Sequence, residues 1–448
     1  MLTRGDFDVT INISRWSELS RDEREKILSR SKLDIAGVSD TVASIILDVQ
    51  ERGDAAIREL NHQFDGTPLD APILAPERHF EEARELIPQS LKNAIGYSIE
   101  NVRRFHAHQE PDGILWRELR QGIMAGERTV PIESAAFYVP RGRGSFPSML
   151  YMMAVPAMIA GVRHMVAASP PDSTGRIDPA CLYTAELCGI RKLYAIGGAQ
   201  AWAALAYGTE SVERVDKCIG PGNKYVAAAK KILSDKLDCG LPAGPSESII
   251  LADSSPDAQD VARNLLVEAE HGSDSAALLI TNSAKLAEQV GEYLVAFSQA
   301  LPEPRRSYVN QVLSGYGGIL IVETIEEGID LVNQFATEHL QIRTSKPFET
   351  LNLISNAGEI LLGDNVPFSV ANYSVGTNAI LPTGGSARTW SGISVRDFKK
   401  RSSVVYLTVD ALNKLRPHAS LLAEYEGFPA HQRALDKWVP TKKTDRKK

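Results

Sequence analysis

Glu338 and His339 stand side by side in the stretch Gln334-Phe335-Ala336-Thr337-Glu338-His339-Leu340-Gln341-Ile342. A carboxylate and an imidazole suit proton transfer near neutrality, because histidine titrates there and a nearby carboxylate tunes it. A helical pattern at Leu331, Val332 and Phe335 precedes the pair, and an extended pattern at residues 340–344 follows it. The pair is therefore expected at a helix-to-strand turn, facing a cleft. Adjacent residues point in different directions, so the two are expected to address two points on a substrate, not each other. Taken alone, the pair also fits a solvated glutamate beside a packing histidine.

A second pattern could hold a metal. Residues 257–271 read as an amphipathic helix through Val261, Leu265 and Leu266. Glu268 and His271, three apart, fall on one face and could supply two ligands from a rigid element. A solvated helix end has the same spacing. Asn372 and His431 could add ligands from remote loops, which spacing alone does not show. His106 and His108 are two apart, on different helix faces, and read as surface residues.

The elements that must position these groups alternate. Helices are expected from Ser39 or Asp40 up to the break at Gly53-Asp54, onward from there, and twice more between Pro76 and Gln109; the first thirty residues read as a loose helical arm. From Ser134 strands alternate with helices: 135–140, then 147–162, 164–168, a helix with Cys181 and Cys188, 193–197, and 215–219. That alternation marks a parallel sheet covered by helices. The turn Gly220-Pro221-Gly222-Asn223 then enters a helix at 225–233, where backbone N–H groups could approach a phosphate or dinucleotide. Such turns are common in αβ proteins, and this one is not GxGxxG. Past a domain crossing at Ala243-Gly244-Pro245-Ser246, a second αβ series runs through 248–252, 277–280, 318–322 and 359–363, and after Arg388 a helical tail ends in the basic, disordered segment 441–448.

Composition narrows the class. The 448 residues carry a net charge of −7, with 43% hydrophobic and 23% charged residues. These are ordinary globular values and leave no electrostatic footprint for nucleic acid. No apolar run reaches membrane-spanning length, and Met1 to Asp6 opens nothing like a secretory segment, so a cytoplasmic protein is expected. Cys181, Cys188, Cys218 and Cys239 lack CxxC spacing and read as reduced buried thiols.

Ile196-Gly197-Gly198-Ala199-Gln200-Ala201, Ala204-Leu205-Ala206-Tyr207-Gly208-Thr209-Glu210, Gly220-Pro221-Gly222-Asn223, Ala243-Gly244-Pro245-Ser246-Glu247, Ala269-Glu270-His271, Thr337-Glu338-His339-Leu340 and Leu381-Pro382-Thr383-Gly384-Gly385 occur in that order. Together they make the chain, from about residue 40 to residue 435, resemble the histidinol dehydrogenase family. The resemblance implies zinc- and NAD-dependent oxidation of an alcohol to a carboxylate in two hydride steps. It implies a homodimer of intertwined subunits with shared active sites, and no nucleic-acid or membrane partner. It also implies an α/β fold of two incomplete Rossmann-like domains with small helical terminal segments. The corresponding division is a helical arm at 1–34, a first Rossmann-like domain at 35–137 and 248–393, a second, NAD-binding one at 138–247, and a C-terminal helical segment with its basic tail at 394–448.

Carried over by motif, Glu338 and His339 match the family's acid–base pair, and Tyr138, Gln200 and Asn223 its NAD contacts. Glu268, His271, Asn372 and His431 match its zinc ligands. Ser246, Glu426, His339 and the same four ligands match its substrate contacts, the tail residues serving the partner subunit. Glu268 stands where the family usually has Gln, and Asn372 where it has Asp. The exchange is complementary and leaves one carboxylate, one amide and two imidazoles around a divalent ion. Phe368 stands where a histidinol-oxidising enzyme has Glu, and Ala379 where it has His, so the pocket is expected to have an apolar wall and extra space, and to take a different alcohol. Arg141, where the family commonly has Gly, together with Arg143 adds positive charge near the cofactor loop or is simply solvated. The rivals to an altered alcohol dehydrogenase are an authentic histidinol dehydrogenase and a non-catalytic binding protein on the same fold.

Overall fold

Apolar strands alternating with helices assemble into two all-parallel sheets. The computed structural model describes residues 10–30, 35–109, 113–142 and 144–436. Arg143, the opening Met1 to Asp6 and the basic tail 441–448 lie outside them. In chain order the strands are β1 (Ile13–Arg15), β2 (Gly113–Arg120), β3 (Ile123–Pro131), β4 (Ser134–Tyr138), β5 (His164–Ser169), β6 (Leu193–Ala195), β7 (Lys217–Ile219), β8 (Glu247–Ala252), β9 (Ala276–Thr281), β10 (Gly318–Ile321), β11 (Thr337–Arg343), β12 (Ala357–Leu362) and β13 (Lys399–Leu407). The chain divides into two compact units, Met1–Glu110 with Ile132–Phe398, and Pro111–Pro131 with Lys399–Lys448.

The first unit holds a six-stranded sheet, β1-β10-β9-β8-β11-β12, and a four-stranded sheet, β6-β5-β4-β7. Every residue of β8, β9 and β11 is buried. Helices cover both faces of such strands, so their sequences read as continuous apolar runs with no alternation. The helix Ala258–Ala269 starts where Asp257 accepts the Asp260 N–H at 2.9 Å, and it buries Val261, Leu265 and Leu266 against the sheet. The helix Ile325–Phe335 ends at Ala336, whose φ of 53° turns the chain directly into β11. At the carboxyl end of β11, fully buried Arg343 pairs with Asp260.

The second unit is an antiparallel sheet, β13-β3-β2, with the helices Val409–Tyr425 and Pro429–Asp436. Ala411 is its one buried residue among those described. Leu115, Trp116, Tyr406, Leu421, Tyr425 and Phe428 are all exposed.

Several expectations need correction. The first thirty residues are not only a helical arm: the helix Arg21–Ser29 is present, capped by Ser20, but Ile13–Arg15 forms β1 and pairs with β10. The strands β2, β3 and β13 escape a sequence reading because none of their residues is buried, leaving no apolar–polar alternation. His106 is not a surface residue. It is fully buried, with Nδ1 2.6 Å from Gln109 Oε1, whereas His108 is exposed as expected. All four cysteines are free thiols, and Cys239 alone is not fully buried.

Candidate active site

Glu338 and His339 are the second and third residues of β11, inside the strand and not at the turn before it. The turn ends at Ala336 because the chain enters the sheet at once. Both side chains reach a small chamber of about 110 Å³, also lined by Phe146, Met149, Met152, Ser246, Glu268, His271, Asn372, Ala379 and Leu381. Although adjacent, they remain near one another, with His339 Nε2 3.9 Å from Glu338 Oε1.

Glu338 is buried, and its Oε2 accepts the Glu247 backbone N–H at 2.9 Å. Burial pushes its carboxyl up to about 8; His339 pulls the other way, and the charge of Glu268 reinforces the rise. Burial would lower His339, but Glu268, Glu338 and Glu359 together outweigh it and hold the imidazole proton up to about 10. Glu247, at the start of β8, is raised by burial to about 7 while Arg30 Nε, 2.8 Å from its Oε1, opposes the rise.

The helix Ala258–Ala269 carries Glu268, and His271 follows just beyond its end. The two are brought together as expected, though not on one helix face, because the helix stops before His271: His271 Nδ1 lies 2.8 Å from Glu268 Oε2. Asn372 comes from a short helix, Phe368–Tyr373, and not from a loop, and its Nδ2 donates to Glu268 Oε1 at 2.7 Å. Burial alone would raise Glu268, yet His271 and His339 bring it down to about 2. Ser246 Oγ lies 3.0 Å from His271 Nδ1.

These three residues fit a divalent cation. Asn372 Oδ1 is buried with no hydrogen-bond partner among the described residues. It adds an amide oxygen to a carboxylate and an imidazole, a donor set suited to zinc. No group of three or more His, Cys, Asp or Glu among the described residues is arranged to hold a metal, since the trio includes an amide. His431, the fourth expected ligand, and Glu426 belong to the second unit and are exposed there.

The chamber continues into a larger cleft of about 760 Å³, with Phe146, Pro221, Ser246 and His271 lining both. Tyr138 and Asn223 line this cleft, at the carboxyl end of the four-stranded sheet. Tyr138 Oη accepts the Gly198 N–H at 3.0 Å, and burial raises its phenol. Asn223 Oδ1 caps the helix Lys224–Leu233 by accepting from Tyr225 N at 3.0 Å and Val226 N at 3.2 Å. At Gly220 a Cβ would lie 2.2 Å from the Tyr138 carbonyl oxygen, so only glycine lets this loop lie against β4. Gln200 is buried in the first turn of the helix Gly198–Tyr207 and does not line the cleft. Arg141 does line it, with Nη2 3.8 Å from Asp172 Oδ2.

Phe368 departs from its expected role. It is fully buried, not a wall of the chamber, and its ring meets His339 edge-on with centroids 5.9 Å apart. Ala379 does line the chamber. Two supporting residues escaped the sequence reading, Glu359 and Thr377. Glu359 Oε2 lies 3.0 Å from His339 Nδ1, and Thr377 donates to Glu359 Oε1 at 2.7 Å. An ionisable residue inside the apolar strand Glu359-Ile360-Leu361-Leu362 was the available signal.

The site thus joins buried ionisable side chains, an oxygen-and-imidazole donor set and a glycine-lined cleft on an α/β fold. The sequence profile of histidinol dehydrogenase matches residues 28–438. The histidinol dehydrogenase of Synechocystis is 44% identical over 424 residues, covering 94% of this chain and 98% of that protein. A histidinol dehydrogenase homolog of Colwellia psychrerythraea is also 44% identical, covering 95% of this chain and 96% of its own. The crystal structure of histidinol dehydrogenase from Elizabethkingia anophelis superposes with a TM-score of 0.89 at 32% identity, covering 93% of this chain and 96% of that one. The chain belongs to the histidinol dehydrogenase family, a family of NAD-dependent oxidoreductases.

Proposed function

We propose that this protein is a zinc-dependent, NAD-linked alcohol dehydrogenase that oxidises an alcohol other than histidinol, through an aldehyde, to a carboxylate. The observation that carries this reading is the convergence of Glu338, His339, Glu268, His271 and Asn372 on one small chamber. Glu268, His271 and Asn372, with His431 contributed by a partner subunit, would hold zinc, and Tyr138 and Asn223 would contact NAD, with Gln200 behind the cleft. When bound, zinc would supply Lewis-acid polarisation of the alcohol oxygen, and NAD would take up hydride. His339 removes the hydroxyl proton at Nε2. Glu338 then activates a water that hydrates the aldehyde. Ser246 contacts the substrate, as would Glu426 of a partner subunit, and the chamber's apolar side chains exclude bulk water.

The substrate assignment rests on Ala379 and on the chamber's carboxylates. Among the described lining residues these are Glu268 and Glu338, the first engaged by His271 and Asn372, the second reserved for proton transfer. An ammonium group there would find neither of these two carboxylates free as a counter-charge, which is strongly disfavoured. The names of the relatives favour a second reading, in which L-histidinol itself is oxidised. NAD reduction by the zinc-loaded protein, compared between L-histidinol and a panel of hydroxy-acid and apolar alcohols, tests both. A kcat/KM for L-histidinol at or above about 10⁴ M⁻¹s⁻¹, the lower end for ordinary enzymes, would overturn the altered-substrate reading.

The division into two Rossmann-like domains flanked by terminal segments, a homodimer and a cytoplasmic location belong to the same proposal. Support for the dimer comes from the second unit, whose large apolar side chains lie exposed in the single chain. No helix among the described residues is long and apolar enough to cross a membrane.

A further inference from the structure

Glu359 lies in β12 between apolar neighbours and is only 8% exposed. The parallel register of β11 and β12 sets it directly opposite His339. Side chains alternate along both strands, so residues paired in register project from the same face of the sheet. The contact is therefore a product of strand register. Both oxygens of Glu359 are engaged, Oε2 at 3.0 Å from His339 Nδ1 and Oε1 as acceptor of Thr377 Oγ1 at 2.7 Å. With both ends held, the carboxylate has a fixed orientation. With Oε2 as the acceptor, the imidazole nitrogen 3.0 Å away is the donor of this contact. The other nitrogen, Nε2, points toward Glu338 Oε1 at 3.9 Å. The Phe368 ring packs edge-on against the imidazole at 70°, with centroids 5.9 Å apart.

We infer that Glu359, itself held by Thr377, is a positioning residue for the proton-transfer step: it keeps Nδ1 of His339 protonated and presents Nε2 to the substrate hydroxyl. The inference rests on the reading of His339 as the base. Phe368 has a part in the same device, which accounts for a phenyl ring that is buried beside the chamber yet does not line it. The fixed imidazole starts each turnover already aligned, so Glu359 acts on kcat and not on substrate affinity.

The test uses the full-length, zinc-loaded protein with E359L, E359Q, T377V and H339N. Proton NMR of protein labelled with ¹⁵N-histidine should show one far-downfield imidazole N–H, identified as His339 Nδ1–H by its loss in H339N. It should vanish in E359L, move upfield in E359Q and survive in T377V. NAD reduction is followed with L-histidinol and with propane-1,2-diol as probe alcohols. On whichever probe the wild type oxidises, E359L should lower kcat roughly tenfold to a hundredfold, the usual effect of losing a residue that orients a histidine. KM, zinc content and melting temperature should stay near wild type. E359Q, which keeps an acceptor oxygen, should recover much of the loss. Persistence of the downfield proton in E359L, or wild-type kcat in E359L while H339N collapses, overturns the role of Glu359 alone. Wild-type turnover in H339N instead sinks the reading of His339 on which it rests. If neither probe is oxidised, the NMR signal still decides where Glu359 holds the imidazole.

Discussion

The chamber on the six-stranded sheet and the cleft at the end of the four-stranded sheet meet at Ser246 and His271 but are built on different principles. In the chamber, the ionisable side chains Glu268, Glu338 and His339 are buried. Burial and the charge of Glu268 raise Glu338 to about 8, His271 and His339 bring Glu268 down to about 2 against burial, and Glu268, Glu338 and Glu359 raise His339 to about 10 against burial. Buried charges are tolerated only when paired, so this cluster is held together by mutual compensation. The cleft instead relies on backbone and shape. Asn223 uses its side-chain oxygen to cap a helix, Gly220 permits close approach, and Arg141 is part-exposed against Asp172. The contrast teaches that perturbed protonation marks where bonds would change, whereas an ordinary helix entrance marks where a large ligand would be seated.

The sharpest challenge to this contrast is His339→Asn against Arg141→Ala. The first should lower kcat roughly a hundredfold or more, the scale of a general base. The second should change kcat less than about fivefold, since exposed ion pairs are worth little. Steady-state kinetics on the best alcohol of the panel decide, and equal effects would erase the distinction between chamber and cleft.

Zinc retention probes the compensation within the chamber. Glu268→Gln leaves two amides and two imidazoles as the proposed ligand set, so affinity in a chelator competition should fall about tenfold or more. Adding Asn372→Asp returns one carboxylate and should recover most of the loss. Strictly additive losses would show that the two positions do not share a metal.

The pH profile follows with its sign fixed by the shifts. A base must be deprotonated to act, and His339 keeps its proton up to about 10, so turnover should rise with pH by up to about tenfold per unit between 7 and 9. Glu338, raised to about 8, ionises over the same interval and adds to the rise in the second step. A flat profile would mean that the imidazole is already neutral in the working enzyme.

The smallest effect belongs to the cleft. Asn223→Ala removes a helix cap and should destabilise the fold by about 1 kcal/mol, measured by denaturant unfolding, with NAD affinity falling only severalfold. Loss of NAD binding by a hundredfold would give the cleft a group as decisive as any in the chamber.

What the sequence determined by itself is local. A three-residue spacing brought His271, just past the helix end, back against Glu268, and Gly53 ended one helix and began the next, because backbone geometry and sterics act over a few residues. Alternating apolar runs announced the parallel sheets, and the ordered motifs announced the family. Tertiary structure decided everything that depends on register and enclosure. Asn372 reaches Glu268 across 104 positions of sequence, and Glu359 reaches His339 only because β11 and β12 pair in one particular register. Phe368, expected as a pocket wall, is turned behind the imidazole, and His106, expected at the surface, is enclosed. Such outcomes arise from long-range packing, in which a side chain's environment comes from segments that its own neighbours in sequence do not encode.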